Sequence, residues 1–229
     1  MGATLDTTDE RVEGEAPLRV LLVDDHDLFR TGLRNLLEEQ GVEIVGEAAD
    51  GGHAVRLVRE LAPDVVVMDL NMPGVTGVEA TRQVTTAAPL TRVVVLTISD
   101  QDADVLDAIL AGACGYLMKD ASIDELMAGI RAASIGESLI SSHIAGKVLQ
   151  RVRATSSQPE IEEAIRTELS DREIQVLKLI ANGKDNSMIA GELHISPKTV
   201  KNHISNILMK LQIENRIQAA VYAVRSGIV

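Results

Sequence analysis

The feature that most constrains this chain is an alternation, across residues 19–134, of short β-branched runs with segments of helical period. The runs are mainly apolar, as expected of strands buried on both faces, and each following segment gathers its apolar residues on one helical face. Parallel strands need helical crossovers between them, so the alternation predicts an α/β doubly wound, five-stranded parallel sheet of order 2-1-3-4-5. The predicted strands are Arg19–Val23, Val42–Glu47, Asp64–Met68, Arg92–Leu96 and Gly115–Met118, and the predicted helices are Leu28–Glu39, Gly52–Leu61, Gly77–Ala87, Asp102–Ala111 and Ser122–Ser134.

The last part of the chain has no strand pattern and instead contains several helix-start residues. A capping box, two Asn N-caps and an N-cap followed by proline each predict a short helix. These residues are Ser170 with Glu173, Asn186, Ser196 with Pro197, and Asn215, while Gly183 ends the first of the helices. The polar stretch Ala154–Glu160 has no periodicity and is interpreted as a linker, so we expect two domains.

Composition excludes several classes of protein. The single cysteine, Cys114, can form neither an internal disulfide nor a thiolate zinc site. The apolar runs are far shorter than the roughly 18 residues that a membrane span needs, and residues 1–17 are acidic rather than typical of a secretory signal. We therefore expect a cytoplasmic protein without a membrane partner. With only three aromatic residues, RNA recognition by base stacking is disfavoured.

The net charge of −12 conceals a difference between the two halves. Residues 1–150 hold 11 basic and 25 acidic residues, whereas residues 151–229 hold 11 and 9. From Ser196 onward the chain has five basic residues and one acidic residue. The two domains are therefore expected to face different partners, and the second is compatible with DNA.

Polar residues lie where the predicted strands end. Asp24 and Asp25 follow the first strand, Asp69 the third, Thr97 the fourth and Lys119 the fifth. In a doubly wound sheet this carboxyl edge is the ligand-binding edge, and three crowded carboxylates favour a hard cation such as Mg²⁺. Mg²⁺ and the Lys119 ammonium would allow Asp69 to take up a phosphoryl group. Any one of these acids could simply end a strand on a solvated loop, so the prediction depends on their joint placement.

The helix predicted from Ser196 is amphipathic. Its apolar stripe comprises Val200, Ile204, Ile207, Leu208 and Leu211, and its opposite face carries Lys198, Lys201, Asn202, Ser205 and Met209. A short turn at His194 and Ile195 joins it to the helix before it, as in a helix-turn-helix. A plain helical bundle with a solvated polar face is the alternative on periodicity alone. The cluster of basic side chains favours DNA binding.

Residues 19 to about 135 resemble a response-regulator receiver domain. The resemblance is carried by the pair Asp24-Asp25, by Asp69-Leu70-Asn71-Met72-Pro73-Gly74, by Thr97 and by Tyr116-Leu117-Met118-Lys119. It implies that Asp69 accepts phosphate from a sensor histidine kinase, and that Mg²⁺ is bound by Asp25, Asp69 and the backbone carbonyl of Asn71, with Asp24 acting through water. It also implies that Thr97 binds the phosphoryl group and that Tyr116 turns inward. Asp120 follows Lys119 where many receivers carry proline.

Residues 169–229 resemble the DNA-binding domain of NarL/LuxR-type regulators, through Leu-Ser-Asp-Arg-Glu, Lys-Thr-Val-Lys-Asn-His, Asn-Arg-Ile-Gln-Ala-Ala and the closing Gly-Ile-Val. The resemblance implies that Lys201 and Asn202 read the groove of double-stranded DNA and that Lys198, Thr199 and His203 lie near its backbone. Ser187 and Ser205 stand where relatives often carry lysine or arginine. Each domain should therefore make fewer phosphate contacts, and DNA affinity should depend more on dimerisation than it does in those relatives. The implied dimer surface is one side of the last helix, formed by Ala219, Ala220, Ala223 and Val224.

The combined hypothesis is a regulator of transcription that forms a homodimer on phosphorylation and acts on RNA polymerase. Its expected parts are an acidic disordered tail (1–17), a receiver (18–137), a linker with a helix (138–165) and a helix-turn-helix domain (166–229). An aspartate-dependent phosphatase is the rival from another class, but Asp69-Leu70-Asn71 lacks the second acid that it needs. A nucleotide enzyme would need a glycine-rich phosphate loop, which the sequence lacks. A regulator whose output is protein interaction alone is disfavoured by the basic helix.

Overall fold

The computed structural model describes residues 16–99, 101–140, 169–213 and 215–229. The predicted acidic tail lies almost wholly outside the described residues. The predicted linker helix, expected within 138–165, also lies outside them. Within the described residues, no helix is both long and apolar enough to cross a membrane.

The first domain contains a parallel sheet whose strand order runs β2-β1-β3-β4-β5-β6. The five predicted strands and their order are confirmed. A sixth strand of two residues pairs with β5, within the segment that the sequence assigns to the linker. The strands are β1 (Arg19–Val23), β2 (Glu43–Ala48), β3 (Val65–Met68), β4 (Arg92–Thr97), β5 (Gly115–Met118) and β6 (Leu139–Ile140).

Four helices connect the first five strands, and a fifth helix follows β5. Side-chain N-caps begin three of them: Asp50, Thr76 and Ser122 each accept a hydrogen bond from a backbone N–H in the first turn. The predicted capping box of Ser122 with Glu125 is formed. The helices are α1 (Asp27–Glu39), α2 (Gly51–Leu61), α3 (Gly77–Ala87), α4 (Asp102–Leu110) and α5 (Ile123–Ser134).

The C-terminal domain is helical in all its described elements, as predicted. Ser170 with Glu173 forms the second capping box. One predicted cap is wrong: Asp185, not Asn186, begins the second helix, because its carboxylate accepts from the N–H of Met188. The helices are α6 (Asp171–Ala181), α7 (Asn186–Leu193), α8 (Pro197–Leu211) and α9 (Arg216–Arg225).

The sheet separates two apolar layers, because alternate residues of each strand point to opposite faces. Val20 and Leu22 of β1 face the layer covered by α1 and α5, whereas Leu21 and Val23 face the layer covered by α2 and α3. A third cluster surrounds α4 and continues without a break into the helical domain. Strands β1, β3 and β4 are therefore buried on both faces up to their carboxyl ends, and α4 is the element shared between the two domains.

Candidate functional site

An acidic cluster lies at the carboxyl edge of β1 and β3. These two strands are neighbours, so Asp24 and Asp25 at the end of β1 meet Asp69 at the end of β3. Asp24 is 4% exposed and Asp69 2% exposed. Ligand atoms of these three carboxylates and of His26 all lie within 4.8 Å of one another. The structure thus brings together the three acids that the sequence predicted to converge.

Lys119, at the end of β5, bridges two of these acids. Its Nζ lies 2.7 Å from Oδ2 of Asp24 and 2.8 Å from Oδ2 of Asp69. Burial alone would lower the pKa of Lys119, but the hydrogen bonds and charges of the two carboxylates raise it above its usual value. The ammonium also lies 4.7 Å from the centre of the Phe29 ring. Lys119 is therefore a fixed positive charge beside the Asp69 carboxylate.

Thr97, Asn71 and Tyr116 complete this edge of the sheet. The fully buried Thr97 places its Oγ1 3.4 Å from Nδ2 of Asn71. Tyr116 is buried, and its hydroxyl donates to the backbone carbonyl of Ser99 at 2.8 Å. Tyr116 is thus already turned inward while Lys119 is paired with Asp69.

The cluster fits a hard divalent cation. Oδ1 of Asp25 is buried and accepts no hydrogen bond within the described structure, although Nδ1 of His26 lies 2.8 Å away. A buried carboxylate oxygen without a donor is costly unless a cation balances it. The carboxylates of Asp24 and Asp69 supply further oxygen ligands of the kind that Mg²⁺ prefers.

Gly77, which we did not assign to the site, supports the Asp69 loop from behind. A Cβ atom on Gly77 would lie 2.6 Å from Cα of Leu70 and well inside van der Waals contact of the Asp69 carbonyl oxygen. The N–H of Gly77 also donates to the carbonyl of Leu70 at 3.1 Å. The sequence contains no sign of this contact, because it depends on how α3 approaches the loop.

We expect Gly77→Ala to destabilise the receiver and to slow phosphorylation, because the added methyl group must displace the backbone of Asp69. Overpacking of this kind costs about 1–3 kcal/mol. Urea unfolding of the full chain measures the loss. Gly32→Ala is the matched control: Gly32 lies in α1 with open space around it, so alanine should be neutral or stabilising there by up to about 1 kcal/mol. Equal stabilities for the two variants would contradict the role of Gly77.

The predicted DNA-contact residues lie together on α8. Lys198, Lys201, Asn202 and Ser205 are exposed, and Thr199 and His203 are half-buried. Val200 and Ile207 on the opposite face are fully buried. Oγ of Ser196 accepts from the N–H of Thr199 and lies 2.8 Å from the Thr199 hydroxyl, which ties that residue to the helix start. The structure thus places these side chains on one outer surface of the second helix of a helix-turn-helix.

Two of the five basic residues that follow Ser196 form polar contacts inside the domain. Lys210 lies 2.7 Å from the buried carboxylate of Glu173. Burial would raise the pKa of Glu173, but Lys210 and Ser170 hold it below its usual value. Arg216 donates to the side chain of Asn186 and to the backbone of Lys184, and burial lowers its pKa. The charge count of the sequence therefore overstates the positive surface available to DNA.

The predicted dimer surface on α9 is covered in this conformation. Ala219, Ala223 and Val224 are at most 5% exposed, and Ala220 is half-buried. One side of α9 packs on α6, and the helix also contacts α4 of the receiver. A dimer that used this surface would first require the helix to leave one of these neighbours.

Comparisons with known proteins agree with both halves of this architecture. Residues 20–131 match the family model "Response regulator receiver domain", and residues 167–223 match "Bacterial regulatory proteins, luxR family". The chain is 47% identical over 213 residues to the transcriptional regulatory protein LiaR of Bacillus subtilis, with 93% of this chain and 99% of LiaR covered. It is 40% identical over 213 residues to the response regulator GacA of Pseudomonas aeruginosa, at 93% and 98% coverage.

A solved structure supports the receiver part of the fold. The two-component response regulator of the LuxR family from Aurantimonas sp. SI85-9A1 is 41% identical and superimposes with a TM-score of 0.56, covering 59% of this chain and 98% of that one. With a receiver site at the sheet edge, a helix-turn-helix after it and relatives that match over nearly their whole length, the chain belongs to the LuxR/NarL-type response regulators of two-component systems.

Proposed function

We propose that this response regulator accepts a phosphoryl group on Asp69 from a sensor histidine kinase, and that this modification controls its dimerisation and its binding to promoter DNA. The proposed location is the cytoplasm, and the final partner is RNA polymerase. We retain the domain limits from the sequence, with a receiver at 18–137 and a DNA-binding domain at 166–229. They are consistent with the two matched regions.

The observation that carries the proposal is the position of Lys119 between Asp24 and Asp69. Phosphoryl transfer places negative charge on the oxygens of the transferred group, and a fixed ammonium beside the acceptor stabilises that charge. A carboxylate oxygen of Asp69 would form the new bond to phosphorus as the phosphorus–nitrogen bond of the kinase phosphohistidine breaks. Asp69 is held for this by its position at the end of β3 and by the close packing of Gly77.

Mg²⁺ would be held by Asp25, Asp69 and the backbone carbonyl of Asn71, with Asp24 acting through water. When bound, the ion supplies positive charge that neutralises the phosphoryl oxygens. Thr97 and Lys119 would then contact the phosphoryl group. Tyr116 would act as the inward-facing part of the switch.

We propose a regulator and not an enzyme that acts on a separate substrate. A phosphatase that uses an aspartyl phosphate needs a general acid near the nucleophile. Two residues after Asp69 stands the amide of Asn71, which cannot donate a proton in that role. The phosphoryl group would therefore act as a signal on the chain itself.

The DNA half of the proposal depends on the exposed face of α8. In a helix-turn-helix the second helix enters the major groove, where bidentate side chains distinguish base pairs and lysines meet phosphates. We assign base contacts to Lys201 and Asn202 and backbone contacts to Lys198, Thr199 and His203, with Ser205 on the same DNA-facing side of the helix. One experiment tests the whole function: DNA binding by the same protein sample before and after treatment with acetyl phosphate and Mg²⁺. Equal affinity in both states would overturn the proposal.

Asn202→Ala and Lys198→Ala should have different effects. Loss of a base contact should cost about 1–3 kcal/mol on a selected operator and little on random DNA, whereas loss of a phosphate contact should weaken both alike. Titrations of each variant with an operator selected from genomic fragments, and with random duplex, measure the difference. Similar losses for Asn202→Ala on both duplexes would show that Asn202 does not read bases.

A further inference from the structure

The receiver and the DNA-binding domain are joined by side-chain amides at the start of α9. Nδ2 of Asn215 donates to the backbone carbonyls of Gly112 and Ala113, at 3.2 and 3.1 Å. Nε2 of Gln218, one turn further along, donates to the carbonyl of Ile109 at 3.1 Å. All three acceptors lie at the C-terminal end of α4 or in the loop that leads to β5. The start of α9 therefore binds directly to the end of α4.

Asn215 serves both domains with one side chain. Its Oδ1 accepts from the N–H groups of Ile217 and Gln218, at 3.0 and 2.9 Å, which makes it the N-cap of α9. The side chain is buried, with the residue 4% exposed. Its acceptor oxygen thus holds its own helix, while its two amide protons hold the receiver.

Apolar packing continues across the same boundary. Val105 and Ile109 of α4 belong to one buried cluster with Ile217 and Val221 of α9. Along α9 every residue except Arg225 is buried or half-buried. A surface helix would normally keep one face in water. The contacts of α9 with α8 and α4, beside its contact with α6, account for the burial of its second face.

A second polar contact reaches the DNA-contact helix. Oε1 of Glu137, in the loop between α5 and β6, lies 3.0 Å from Nζ of Lys201 and 3.4 Å from Nδ2 of Asn186. Lys201 is one of the two residues to which we assign base contacts. The receiver thus places a carboxylate where DNA would have to approach.

We propose that Asn215 is an interdomain latch: its amide holds α9 against the end of α4 in the unphosphorylated chain, while Glu137 occupies Lys201. In this closed state α4 covers the face of α9 that carries Gln218, and the α8 face is partly neutralised. The inference rests on the proposed phosphorylation switch, since it specifies which contacts the switch must break.

A physical route connects the phosphorylation site to the latch. The Thr97 hydroxyl accepts from the N–H of Ser99 at 3.3 Å, and the Ser99 carbonyl accepts from the Tyr116 hydroxyl. The Ser99 hydroxyl also binds the carboxylate of Asp104 in the first turn of α4. A phosphoryl group that drew Thr97 toward Asp69 would alter these contacts at one end of α4. A shift of α4 would then break the hydrogen bonds to α9 at its other end.

Asn215→Asp tests the latch with little change in shape. Asp is as good an N-cap as Asn, so α9 keeps its start, but the carboxylate cannot donate and would face two carbonyl oxygens. We expect unphosphorylated Asn215→Asp to bind the operator more tightly than the parent chain, by roughly 5- to 150-fold, the usual range of such coupling. We also expect a larger radius of gyration in small-angle scattering.

Asn182→Asp is the matched control, because it makes the same chemical change at an exposed position at the end of α6. It should leave both measurements unchanged. Glu137→Gln removes the partner of Lys201 without affecting Asn215, and should also raise affinity before phosphorylation. If circular dichroism shows that the Asn215→Asp substitution unfolds α9, Gln218→Ala decides instead, because it removes one latch bond and leaves the cap intact.

Parent-like affinity and radius of gyration in a folded Asn215→Asp protein would overturn the latch. These measurements need no phosphodonor. They therefore remain informative even if Asp69 proves not to be phosphorylated, which the intact mass of the treated protein determines separately.

Discussion

Asp69→Asn protein treated with acetyl phosphate and Mg²⁺ should gain no phosphoryl mass, whereas the parent chain should gain one phosphoryl group. The amide preserves the size of the side chain but lacks the nucleophilic oxygen that forms the acyl phosphate bond. Intact-mass spectrometry measures the outcome directly. This is the largest effect that we expect, since it is a loss of the whole modification.

The control and the metal test use the same assay. Asp120→Asn alters an exposed carboxylate beside Lys119, and should not prevent phosphorylation. Chelation of Mg²⁺ should suppress the mass gain of the parent chain, because the crowded carboxylates of Asp24, Asp25 and Asp69 would then lack a balancing cation. A mass gain in Asp69→Asn, or one unaffected by chelation, would disprove the assigned site.

The pH dependence of this reaction should not come from Lys119. Asp24 and Asp69 raise the pKa of Lys119. The ammonium therefore stays protonated at pH values above the ordinary lysine pKa of about 10.4. The charge that faces the phosphoryl group is therefore constant through the neutral range. It would be lost only at strongly alkaline pH.

Phosphorylation should increase affinity for a site with two half-sites far more than affinity for one half-site. A DNA-binding domain with few free basic side chains holds one half-site weakly, since Lys210 of α8 and Arg216 of α9 are engaged within the domain. Two joined copies make the second contact intramolecular, which can raise overall binding by factors of roughly 100 to 10,000. Sedimentation with and without acetyl phosphate, together with binding to both DNAs, measures this effect.

The latch predicts how the gain divides between two steps. Opening of the closed chain should raise the affinity for a single half-site. This rise should equal the one that the unphosphorylated Asn215→Asp protein shows. The further gain on two half-sites should require dimers. A phosphorylated protein that remains monomeric yet gains the full affinity would show that release of Lys201 from Glu137 is sufficient, and that dimerisation contributes little.

Local pattern was enough to predict the sheet and its acidic edge. The structure confirms the five predicted strands and their order. They could be predicted because apolar runs and helical periodicity are visible within about ten residues of the chain. The convergence of Asp24, Asp25 and Asp69 followed from topology, since neighbouring parallel strands end at one edge. Their roles in phosphorylation stay predictions.

Other features depended on contacts that local pattern does not contain. Asp185 and Asn186 are both good N-caps, and the structure uses Asp185 because the Asn186 side chain instead contacts Glu137 and Arg216. The two-residue strand β6 forms only because the edge of β5 offers hydrogen-bond partners. The need for glycine at 77 arises from the approach of α3 to the Asp69 loop.

The division between the two kinds of information has one physical reason. The first five strands, the helices, most caps and the order of polar residues at strand ends were determined by the sequence itself, because their patterns lie within short stretches of the chain. The closed arrangement was decided by tertiary structure alone, because Asn215 and Gly112 are about a hundred positions apart in the chain. A helix cap read from sequence is the same whether its amide points to water or to another domain. Only the packing of α9 against α4 turns that cap into a link between the two halves of the molecule.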